Sequence, residues 1–181
     1  MPVARRHPLS TPEPEMNPMS SSGATSADMY LDLTLKRAGK VKGESVAAGH
    51  PSDIVVRGFS WGVGAAGDAV AGQATGRRSY RQLVITKGLD TASTALMSAV
   101  ATNDEVRSAK LFLRKAGGEQ EDYFCLTLEK ARIASYDIEA DADGTPVERV
   151  AMSFQKVSVE YKPQSGKGQS GGSHTFNDDL T

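Results

Sequence analysis

Three histidines and one cysteine are the residues best suited to metal binding or nucleophilic chemistry in this 181-residue chain. His7, His50 and His174 share no ligand spacing, so a metal site is not expected. Cys125 lies between Phe124 and Leu126 in a strand pattern, the place of a small packed residue rather than an activated thiolate. A lone cysteine also excludes an intrachain disulfide and a cysteine-built zinc site. Glu119, Glu121 and Asp122 gather at a hairpin tip, where a solvated turn is commoner than an acid/base pair. The glycine-rich run Gly62–Gly76 has no Lys-Ser/Thr after it and leads into a strand, so it lacks the helix start of a phosphate cradle. Arg77, Arg78 and Arg81, with Tyr80 among them, are the one basic knot. Alternation puts Arg78 and Tyr80 on one face and Arg81 on the other. The formal net charge is −1, without the basic excess of a nucleic-acid binder. The residues therefore predict no catalytic centre, no cofactor, no metal and no nucleic-acid partner.

The elements that hold these residues read as strands. Leu31, Leu33 and Leu35 alternate with Asp32 and Thr34, a half-buried strand. Ile54–Trp61 and Arg78–Lys87 are two more, separated by a long loop with five glycines, Gly62–Gly76. Val106–Lys115 and Asp122–Ser135 form a hairpin around Gly117-Gly118. A last strand, Val147–Lys162, follows the turn cluster Asp141–Pro146. Its apolar set changes parity after Phe154. The same happens between Leu128 and Ala131, so bulges are expected near Gln155-Lys156 and Glu129-Lys130. Long bent strands fit a barrel or crossed sheets. One helix is expected from Ala92, Ala95, Leu96, Ala99 and Val100, with Ser93 as N-cap and Asn103 as stop.

Five of the eight prolines fall in residues 1–27, which read as a disordered arm. Residues 164–181, rich in Gly and Ser, read as a flexible tail, leaving one domain over 28–163. No stretch is apolar enough to insert in a membrane, and Arg5-Arg6 precede no apolar signal segment. The expectation is a protein made in the cytoplasm without a cleaved signal peptide.

Several strings, in order across Asp28 to Gln164, resemble the haemolysin-coregulated protein (Hcp) family, the tube proteins of bacterial type VI secretion systems. They are Val41-Lys42-Gly43-Glu44-Ser45, His50, Phe59-Ser60-Trp61-Gly62, Thr86-Lys87-Gly88-Leu89-Asp90, Leu113-Arg114-Lys115-Ala116-Gly117-Gly118-Glu119 and Phe154–Gln164. The resemblance implies a mainly β protein, a β-barrel of two packed sheets with one α-helix whose packed face includes Leu96 and Val100. It implies a homo-hexameric ring, stacked with other rings inside a contractile sheath, tipped by a spike protein, able to carry effector proteins in its lumen and secreted on firing. It places ring-to-ring stacking on the loop that holds Gly62, Val63, Gly64, Gly67, Asp68, Gly72, Gly76, Arg77 and Arg78. It also turns Ser60, opposite Phe59 and Trp61, toward the bore. Two departures stand out: Thr94 replaces the family's helix-start proline, and Arg81-Gln82 stand where the family often has Gln-Asp. Other readings are a tail-tube protein of a phage-like contractile particle and a non-enzymatic barrel for a small ligand. The 6% aromatic content argues against the latter, which needs an aromatic-lined lumen.

Overall fold

Alternating Leu31, Leu33 and Leu35 are buried while Asp32 and Thr34 stay half-exposed, so the first strand forms where period two predicts it. The computed structural model describes residues 27–65, 78–115, 121–163 and 172–180. The strands are β1 (Ala27–Leu35), β2 (Gly39–Val41), β3 (Ile54–Val56), β4 (Gly58–Ala65) and β5 (Arg78–Gly88). After helix α1 (Ser93–Ala101) come β6 (Glu105–Lys115), β7 (Asp122–Ala140), β8 (Pro146–Ser153), β9 (Lys156–Tyr161) and β10 (His174–Asp179). The expected arm, apart from Ala27, and residues 164–171 and 181 of the expected tail lie outside the described residues.

All ten strands belong to one sheet, ordered β2-β1-β6-β7-β8-β5-β4, with β3 on β1, β9 on β7 and β10 on β9. The expected two sheets are thus parts of one that curls around a single core. The path does not close as one ladder. Instead β3, on β1, runs through Arg57 into β4, on β5, and the Arg57 N–H donates to Thr86 O at 2.8 Å. Side chains fill the interior: Leu31, Ile54, Leu83, Ile85, Leu111 and Leu126 are fully buried.

The parity changes are real creases. Lys130 adopts φ +48°, a left-handed conformation that lets Leu126, Leu128, Ala131 and Ile133 all reach the core. Opposite it the expected single strand Val147–Lys162 breaks into β8 and β9 at Phe154-Gln155. The first half of β7 therefore pairs with β9 and the second with β8.

The C-terminal segment corrects the sequence reading. His174–Asp179 is not a flexible tail but pairs antiparallel with β9. Its side chains are mostly exposed, so no apolar alternation announced it. Backbone hydrogen bonds, Asp178 with Arg78 at 2.6 Å and Asp179 with Lys156 at 3.0 Å hold it.

The helix packs where expected, with Leu96 and Ala99 buried and Val100 half-buried, but its cap differs. Ser93 is buried inside the first turn and is not the N-cap. Ala92 is the N-cap and has no side-chain cap; in the turn before it Asp90 Oδ1 accepts from Ala92 N at 2.9 Å, and Ser93 Oγ accepts from Asp90 N at 3.0 Å. At the other end Asn103 does stop the helix. It has φ +49° and its N–H donates to Val100 O, while Asp104 N–H donates to Ala99 O.

Beneath the helix start lies a buried ion network. Lys87 and Glu148 are both 0% exposed. The Lys87 ammonium contacts Glu148, Asp90 at 2.7 Å and Ser93 Oγ at 3.2 Å, and Tyr136 donates to Glu148 Oε1 at 2.6 Å. Burial alone would push the Glu148 carboxyl up, but hydrogen bonds from Lys87, Ser93 and Tyr136 hold it below the usual carboxylate range. Burial and the Glu148 hydrogen bond push the Tyr136 phenol well up.

Removing one partner leaves the other buried and unpaired, so Lys87→Met is predicted to cost about 3–5 kcal/mol. Lys87→Met with Glu148→Leu should regain much of that; a single-variant loss below about 1 kcal/mol in urea unfolding would contradict the network's role. Because the folded pKa of Glu148 is lowered, its contribution is complete above the ordinary value near 4.5 and is lost as pH falls through the lower folded value.

Candidate assembly hairpin and lumen face

Glycine hides the face of a strand because it has no side chain to alternate. That is why the sequence reading begins a loop at Gly62, whereas the structure continues β4 to Ala65. Gly62, Val63 and Gly64 pair with Arg81, Tyr80 and Ser79 of β5. The missing side chain at Gly62 leaves the space that the Arg81 guanidinium occupies. A Cβ there would lie 2.9 Å from Arg81 Nε and 3.0 Å from Arg81 Cζ. The outer part of this hairpin has little cover, and Val63 is 52% exposed. Arg78 is also a strand residue, not a loop residue, and is engaged with Asp178. Gly67, Asp68, Gly72, Gly76 and Arg77 lie outside the described residues.

Between Ser60 and Gly62 the register with β5 shifts by one residue, so Trp61 faces the extra residue of a bulge. Trp61 packs on the core side, 6.1 Å from the Tyr80 ring, which meets Phe154 edge-on at 5.9 Å. Phe59 also lies on the core side, opposite Ile85, but at the rim, 36% exposed and 6.4 Å from Phe124. Ser60 points the other way and is exposed. Its register neighbours across three more strands are Val84, Ala151 and Ser135. These four small or short side chains make one flat row on that face of β4, β5, β8 and β7, with Arg149 and Asp137 in the next row.

The sequence reading missed a second cluster. His50 looks isolated in a loop but is 3% exposed. Its Nδ1 lies 3.0 Å from Asp53 Oδ2 and its Nε2 3.0 Å from Asp122 Oδ1. The ring stacks on Tyr30 at 4.6 Å and meets Phe112 at 4.8 Å. Arg114 donates to Asp122 at 3.0 Å and to Ala48 O at 2.6 Å, and Lys40 donates to Asp53 at 2.8 Å. The hydrogen bond to Asp53 is what pushes the Lys40 ammonium up, over the opposing effect of burial. The only local signal was the His50-Asp53 spacing; Arg114 and Asp122 arrive from the distant β6–β7 hairpin. Each carboxylate already serves a cation or the imidazole, so the cluster binds the 42–53 loop to β6 and β7. Among the described residues no group of His, Cys, Asp or Glu is placed to hold a metal. Burial pushes the Cys125 thiol up, and its Sγ rests 3.6 Å from Thr127 Oγ1, an unactivated arrangement.

The profile of the family described as "Type VI secretion system effector, Hcp" matches residues 30–161. "Protein hcp1" of Pseudomonas aeruginosa is 33% identical over 148 residues, covering 80% of this chain and 91% of the relative. The "Major exported protein" of the same organism is 28% identical over 137 residues, covering 70% of this chain and 78% of the relative. A solved structure of a type six secretion system protein superposes with TM-score 0.77 at 27% identity, covering 86% of this chain and 96% of that one. Hcp1 from Salmonella typhimurium superposes with TM-score 0.68 at 25% identity, covering 85% and 94%. The chain belongs to the Hcp family of type VI secretion, a family of structural secreted tube proteins and not of enzymes.

Proposed function

We propose that this chain is the tube subunit of a type VI secretion system, assembled as a homo-hexameric ring. Rings stack into a tube within a contractile sheath, behind a spike protein, with effector proteins carried in the bore. The tube is built in the cytoplasm and then exported. The observation that carries the reading is the flat row Ser60, Val84, Ala151 and Ser135 on the family scaffold. A row of short side chains suits a channel wall, because long ones at that level would narrow the bore. Head-to-tail joining of identical subunits closes a ring by symmetry. The thinly covered outer part of the β4–β5 hairpin gives each ring a projecting element for its neighbour.

Light scattering at micromolar concentration tests the ring: a hexamer mass is expected, and a monomer mass overturns the reading. Deleting Ala65 to Gly72 should leave rings intact and abolish tubes in electron micrographs, because the Gly58–Gly64 pairing with β5 survives. Unfolded protein from that deletion would instead place the segment in the core. Ser60→Gln should preserve the ring mass and reduce co-purification of a lumen-sized effector, since it raises a long side chain from the flat row. Unchanged effector capture by intact rings would remove Ser60 from the cargo surface.

A further inference from the structure

Arg81 stands on the Ser60 face, and no acid answers it. Its guanidinium lies over Gly62, two residues from Ser60 and therefore on the same side of β4. Most of the other cations along these strands are engaged; Lys130 at the crease of β7 is the exception, and Arg57, just before β4, lies over Gly88 on the same face. Arg78 meets Asp178, Lys87 meets Glu148, Arg149 meets Glu139 and Arg132 donates to Asn103. Among the described residues Arg81 has no hydrogen bond and no ion pair. The carboxylates nearest in register on this face are on β7. Asp137 lies in the row of Arg149, Thr86 and Gly58, on the other side of the Ser60 row, and Glu139 is already held by Arg149. An exposed, unpaired guanidinium thus stands beside a row of small side chains.

We propose that Arg81 is the residue with which the lumen face recognises cargo, and that the cargo surface it takes is an acidic protein segment. The proposal rests on the ring reading, which repeats the guanidinium six times at one level of the bore. A guanidinium presents a planar fork that matches a carboxylate in two hydrogen bonds, and a channel wall of low dielectric strengthens the attraction. Nucleic acid fits this face less well. Bases need aromatic platforms, and Phe59 and Trp61 point to the opposite side.

The test uses the full chain and its Arg81→Gln and Arg81→Glu variants, with Arg107→Gln on β6 as an exposed-arginine control. Ring mass is measured first. Fluorescence anisotropy then follows binding of a short labelled polyglutamate peptide, polylysine of the same length and a single-stranded oligonucleotide. Polyglutamate should bind the wild type and the Arg107 control alike, lose about tenfold in affinity with Arg81→Gln, and weaken as salt is added. Arg81→Glu should turn the preference toward polylysine. Equal polyglutamate binding by wild-type and Arg81→Gln rings would overturn the proposal, as would an equal loss with Arg107→Gln or tighter binding of the oligonucleotide. A monomer mass throughout would overturn the ring reading separately, and the same peptide comparison on the monomer would still decide Arg81.

Discussion

A lysine ammonium sealed from water sets the terms for much of this fold. Lys87 has no route to solvent, so its charge must be answered from within. The answering groups come from β8 (Glu148), from the turn before the helix (Asp90) and from its first residue (Ser93); Tyr136 of β7 completes the second oxygen of Glu148. Sliding β5 by one residue against β8 would turn Lys87 outward and carry Leu83 and Ile85 with it. The register of the central strands and the seat of the helix are therefore one decision. Asp90 links them most directly, because the carboxylate that meets the ammonium also accepts from Ala92 N in the turn that leads into the helix.

The remainder of the barrel is organised by two devices of different kinds. The crease at Lys130 and Phe154-Gln155 lets β7 serve two neighbours in turn, β9 and then β8, so one strand belongs to both parts of the sheet. The His50 cluster fastens the long 42–53 connection, which has little regular structure of its own. Tyr30 and Phe112 hold the ring between them while carboxylates from the loop and from β7 take its nitrogens. Gly49, at φ +88°, brings the backbone within reach of Arg114, and a Cβ there would stand 3.0 Å from the guanidinium. Neither device draws on the β4–β5 hairpin, whose Arg78 and Tyr80 serve instead to hold β10.

What could be read in advance followed side-chain alternation. The parity change between Leu128 and Ala131 announced the crease, and the apolar spacing of Leu96, Ala99 and Val100 announced the helix face. Where side chains do not report burial, reading stopped. β10 is exposed except at Asp178 and is recognised there through Arg78 and Tyr80, about a hundred residues earlier in the chain. The Gly62–Gly64 strand had no alternation to show. Ser93 has the chemistry of an N-cap, but it stands one residue past the cap, where its hydroxyl takes Lys87 and the Asp90 N–H instead. Lys87 and Glu148 were illegible for the opposite reason: charged residues read as exposed unless a partner brings them in, and partners sixty-one residues apart leave no local pattern.

β7 is also a mechanical element. Its 19 residues would reach about 60 Å if fully extended, and it is hydrogen-bonded to β6 on one side and to β9 and then β8 on the other. A load applied along such a strand falls on parallel hydrogen bonds in shear, which must yield together, instead of on a zipper that opens one rung at a time. The crease at Lys130 falls where β7 passes from β9 to β8, and β6 runs past it on the other edge as far as Arg132, so the strand is bridged across the change of partner.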